Sequence, residues 1–163
     1  MRRRWLLSVC LLAAVAAISI PVTAQAPDSW LGTWKLNVAK SKWDAGSSAP
    51  KSQTVTQVAI PGGGMKSTVD MVDSQGKSIH TELTTMFDGN AAIVAGAADA
   101  KTTRVYKRID GRTYEFSTLV NKKVTSTTRS VTSADGKTRT VTTTGKNAQG
   151  VAYTNVVVYD KQK

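Results

Sequence analysis

His80 and Glu82 stand two residues apart in the run "KSIHTELTTMF", and a histidine–carboxylate couple can do acid–base work. Neither a second histidine nor a paired nucleophile accompanies them, so no metal site or hydrolytic triad is expected. Strand alternation sets both opposite Ile79, Leu83 and Phe87, on a face expected to meet solvent. Arg104, Tyr106 and Arg108 alternate in the same way along "TTRVYKRI". Turned inward they would line a cationic, aromatic cavity; turned outward they form a basic stripe behind Val105 and Ile109. The outward orientation is expected, because Val and Ile are buried far more often than Arg. Tyr153, Asn155, Val157 and Tyr159 also share one face, and an inward Tyr159 would make it a mixed polar and aromatic wall. Gly62-Gly63-Gly64 lacks the Lys-Ser/Thr and helix of a phosphate loop and reads as a turn. No catalytic residue, cofactor or metal ligand is expected from these patterns.

These residues sit in short runs of period two, rich in Thr, Val, Ile and aromatics, as half-buried strands are. After Lys51 the runs begin with "SQTVTQVAI" and "MKSTVDMVD" and end with "KTRTVTTT" and "VAYTNVVVYDK". Asp88-Gly89, Asp110-Gly111 and Asp135-Gly136 are expected to supply the positive φ of tight hairpins, and Asn121-Lys122 marks another turn. "AAIVAGAADA" at 91–100 reads as a short strand followed by a loop. No helical stripe of useful length appears after the N-terminal segment. Strands joined by short turns make an up-and-down antiparallel sheet, and closure into a barrel removes its two exposed edges. An all-β barrel of about eight to ten strands is predicted, wide enough for side chains or one small ligand.

"SWLGTWKLN" at 29–37 opens this meander, and its Gly32-Thr33-Trp34 is the Gly-x-Trp of a first barrel strand in the calycin superfamily. The chain resembles that superfamily, the lipocalins and fatty-acid-binding proteins, and "LGTWKL" is similar to the fatty-acid-binding branch. It is also similar to small secreted bacterial proteins described as lipocalin-like. The resemblance implies that Trp34 closes the barrel floor, with Gly32 allowing a tight bend beneath it. "RSVTSADGK" at 129–137 is similar to the family's penultimate hairpin, with about two extra residues in the turn. "VVVYDKQ" at the C-terminus matches the family's Arg-x-Tyr only at Tyr159, because Val157 replaces the arginine. On the same resemblance, Arg129 and Tyr159 are implied to face a ligand carboxylate, with Tyr153, Asn155 and Val157 on the adjoining wall. The other reading of Arg129 is a wall residue paired with Glu82 or Glu115. The two lid helices of fatty-acid-binding proteins have no counterpart. "VAKSKWDAGSSAPK" can make one short turn capped by Asn37 and then a loop, leaving the mouth open or plugged.

The N-terminus has the three parts of a secretory signal: Arg2–Arg4, the apolar "WLLSVCLLAAVAAISI", and the small residues of "PVTAQA". Cleavage after Ala24 is expected, the alternative being after Ala26, which would place Pro27 first. An uncleaved anchor or a lipoprotein through Cys10 fits less well, since the apolar run is short and continues past the cysteine. Residues 25–163 then form one domain, about 139 residues long and without cysteine. Its 19 basic and 11 acidic side chains give +8. That charge favours anionic partners such as an envelope surface. The basic residues are scattered singly, however, and nucleic acid is not expected. The expectation is a monomeric, periplasmic or secreted barrel holding a small hydrophobic or amphipathic, possibly anionic, molecule. The alternatives are an envelope interaction or inhibitor module acting through mouth loops, and a small-barrel enzyme using His80.

Overall fold

The computed structural model describes residues 28–163, apart from 45 and 148. The expected signal segment and both expected cleavage points lie outside the described residues. Ten strands follow in order: β1 (Gly32–Lys42), β2 (Ser52–Ile60), β3 (Gly64–Val72), β4 (Ser78–Thr85), β5 (Ala91–Ile93), β6 (Thr102–Arg108), β7 (Thr113–Val120), β8 (Lys123–Thr132), β9 (Thr138–Lys146) and β10 (Ala152–Lys161). No helix occurs among the described residues.

All pairings are antiparallel between chain neighbours, and β1 also pairs with β10, so the order runs β4-β3-β2-β1-β10-β9-β8-β7-β6-β5. Glu82 and Ala95 close the remaining seam with two backbone bonds of 3.0 and 2.9 Å. Gly96 makes that approach possible. A Cβ there would stand 2.1 Å from the His80 carbonyl oxygen, and its φ of +78° suits only glycine. The result is a nearly closed barrel.

Turn chemistry follows the sequence with one correction. Gly89 and Gly136 have positive φ, and so do Asn121 and Lys122 in the β7–β8 hairpin. Gly111 does not. There the Asp110 carboxylate accepts the Arg112 amide at 2.7 Å, an Asx turn that needs no left-handed residue. In β1, the six residues from Asn37 to Lys42 run against three in β10, Val158 to Val156. Asn37 Oδ1 accepts the Lys40 amide, and the Ser41 hydroxyl donates to the Asn37 carbonyl while accepting the Val158 amide. Asn37 thus caps this stretch as expected, but the stretch is a bulge inside β1 and not a turn that follows it.

Apolar packing falls into two clusters. Trp30, Met65, Leu83, Val94, Tyr106 and Tyr114 gather at the end where β1 begins. Trp34, Leu36, Val55 and Tyr159 form the second cluster, with Trp43, Val69, Val141 and Val157 against it. Members of both clusters, among them Val55, Tyr106, Tyr114 and Tyr159, line a hollow interior.

Candidate functional site

A cavity of about 350 Å³ occupies the interior. One part of its wall is apolar, from Val55, Val69, Met71, Ile79, Val141 and Val157. The rest carries Gln57, Arg104, Tyr106, Tyr114, Arg139 and Tyr159, with serine and threonine hydroxyls between them. No Asp, Glu, His or Lys lines it among the described residues.

Arg139, only 1% exposed, sits at the start of β9 with its guanidinium 4.9 Å from the Trp34 ring and 5.0 Å from the Tyr159 ring. Both distances suit cation–π attraction. Nη1 donates to Gln57 Oε1 at 2.5 Å, and Gln57 Nε2 donates to the Tyr114 hydroxyl at 2.9 Å. Gln57 is a neutral acceptor, and among the described residues the Nε of Arg139 has no partner. Arg104 lies 4.8 Å over the Phe116 ring, again with Nε buried and unpartnered. Phe116 in turn stacks on Tyr106 at 4.8 Å. Burial pushes the Tyr106 and Tyr159 hydroxyls up to about 12, so both are neutral donors near pH 7. An acidic oxygen entering the cavity therefore meets guanidinium and phenol donors.

The expected outward stripe on β6 is corrected: Arg104 and Tyr106 face the cavity, and Ile109 is exposed. Arg108, on the same face, pairs with Asp28 at 2.5 Å and lies 5.5 Å from the Trp30 ring at the floor. The residues expected from resemblance divide. Tyr159 and Val157 line the cavity. Arg129 does not; it stands on the outer face, half exposed, and is paired with Glu115. Asn155 holds the loop after β1, accepting the Asp44 amide at 2.9 Å and donating to Ser47 Oγ at 3.1 Å. The Asp44 carboxylate accepts the Thr154 amide at 2.6 Å, so this loop is tied across the start of β10. The Tyr153 hydroxyl lies over Gly145, where a Cβ would come within 2.9 Å of it. Neither Tyr153 nor Asn155 lines the cavity.

At the floor, Trp34 is fully buried, its Nε1 bonded to the Trp30 carbonyl at 2.7 Å. Gly32 has φ +115°, and a Cβ there would press on the Lys161 chain at 3.1 Å. His80 lies outside, its Nδ1 2.6 Å from Asp70 and its Nε2 3.8 Å from Glu82. Donating that hydrogen bond to the Asp70 carboxylate raises its pKa.

Arg139 and Gln57 were not legible as a pair from spacing. A signal for Arg139 did exist: in "TRTVTTT" it shares a face with Val141 and Thr143, an odd place for a lone cation.

The barrel is similar to crystal structures of the fluorescent protein UnaG. The wild type matches with a TM-score of 0.57 at 13% identity, over 82% of this chain and 98% of that one. A point mutant of it matches with a TM-score of 0.56 at 15% identity, over 82% and 96%. The fold is calycin-like. No family model matches the sequence, and no curated protein matches it. The likeness to solved structures therefore concerns the arrangement of strands. The distribution of arginines described above is read from this chain alone.

Proposed function

We propose that this chain is an exported calycin-like barrel that binds a small amphipathic acid in its interior, without catalysis. The observation that carries the reading is Arg139, without an ion-pair partner among the described residues, in a cavity whose lining is apolar in part. A buried cation is costly without a counter-charge, and an acidic head group would supply one. The apolar wall would take the tail, with burial contributing about 25 cal/mol per Å². At about 350 Å³ the space is at the small end of ligand sites, which favours a short chain over a full-length lipid. The interaction-module alternative expects a filled interior, and the hollow barrel favours the container. A catalytic role for His80 is disfavoured by its place on the outer face, away from the cavity. Export is inferred from the N-terminal pattern of Arg2–Arg4 and the apolar run that follows.

Calorimetry with decanoate and decanol tests the reading. Decanoate is expected to bind about tenfold or more tightly, the scale of a hydrogen bond to a charged group. Arg139→Gln is expected to shrink the difference. Failure of both ligands to bind would overturn the container reading.

A further inference from the structure

The cavity holds two guanidiniums, and a singly charged head group can offset only one of them. Arg139 and Arg104 both line it, and each has a buried Nε with no partner. Among the described residues neither joins an ion pair; the cationic side chains that do are Lys40, Lys66, His80, Arg108 and Arg129. Arginine cannot shed its proton in a protein, so both charges persist at any working pH. The wall offers no negative group to offset them. Tyr106 and Tyr159, which stand nearest, stay protonated because burial holds them near 12. Gln57 satisfies one nitrogen of Arg139 without changing the charge.

The two groups also share one environment. Arg139 is joined through Gln57 to Tyr114, whose ring lies 5.9 Å from that of Tyr106. Tyr106 stacks on Phe116, and Arg104 lies over Phe116. Both arginines also line the same cavity of about 350 Å³, so a single small molecule that fills it meets both guanidiniums. We infer that the ligand of this cavity carries two negative charges at its polar end, on a short apolar chain. This rests on the container reading and refines it. A vicinal dicarboxylate and a phosphate monoester share the required chemistry.

Titration of the mature protein at about pH 8, where both head groups are dianions, separates the cases. The probes are octylsuccinate, octyl phosphate and decanoate. Octylsuccinate is decanoate with a second carboxymethyl group. At least one dianion is expected to bind about tenfold or more tightly than decanoate. Preference for octylsuccinate assigns the head as a dicarboxylate, and preference for octyl phosphate as a phosphate. Arg104→Gln is expected to reduce the preferred dianion to the level of decanoate. Arg129→Gln removes the same charge from the outer face and is expected to leave the preference intact. Equal binding of all three anions would overturn the two-charge inference while leaving the container standing. A preference unchanged in Arg104→Gln, or lost equally in Arg129→Gln, would overturn it as well. If no probe binds, both readings fail.

Discussion

The indole of Trp34 donates its Nε1 hydrogen to the carbonyl of Trp30 at 2.7 Å, joining the two fully buried tryptophans at the start of the barrel. Trp30 meets Tyr114 edge-on at 5.4 Å, and Trp34 lies under the Arg139 guanidinium. Both tryptophans thus pack at the floor, and Trp34 also supports the polar wall above it.

Trp34→Ala removes a large core aromatic together with that hydrogen bond, and is expected to cost about 3–5 kcal/mol. Trp43, partly buried against the same cluster, is expected to cost about 1–2 kcal/mol on the same change, because less contact is lost. Urea unfolding of the two variants checks the order. Equal losses would contradict the floor assignment of Trp34.

The expected strands and the observed ones coincide closely, and the reason is physical. Alternation and turn residues are local, so β2 through β10 could be read from runs such as "SQTVTQVAI" and from the turns between them. The inside and outside of the barrel could not be read as reliably. Burial statistics assume a greasy core, yet this interior is polar in part. Ser67, Thr128, Ser130 and Thr132 are buried, while Val58, Val124 and Val131 are exposed. That inversion turned Arg104 and Tyr106 inward against expectation and put Arg129 outside. The Arg139–Gln57 contact spans 82 residues and crosses the barrel, so no local pattern encodes it.

His80 is expected to titrate above the ordinary histidine value, because its hydrogen bond to Asp70 favours the protonated ring. A raised folded-state pKa stabilises the protein fully below the unfolded value of about 6.5. That contribution disappears as pH rises through the folded pKa. NMR titration of the single histidine checks the direction, and His80→Gln is expected to remove this part of the pH dependence. Ligand affinity is expected to be indifferent to the change, since His80 lies outside the cavity.

Export is expected to leave Gln25 as the first residue and no thiol in the mature protein, since Cys10 is the sole cysteine. Intact-mass measurement of protein recovered from the envelope or medium checks both. Retention of residues 1–24 would contradict the export proposal.

Gln57→Glu places a carboxylate against Arg139 without changing the size of the side chain. The protein is expected to remain folded, because the retained Oε1 still accepts from Nη1, now with charge assistance, and the oxygen that replaces Nε2 can accept from the Tyr114 hydroxyl. The new carboxylate would also occupy the role proposed for the ligand. The decisive measurement is the dissociation constant of decanoate for this variant beside that for the unaltered protein. The account predicts weakening by about tenfold or more, with decanol changed far less. Decanoate binding equally well to both proteins would contradict the claim that Arg139 receives the acidic head group.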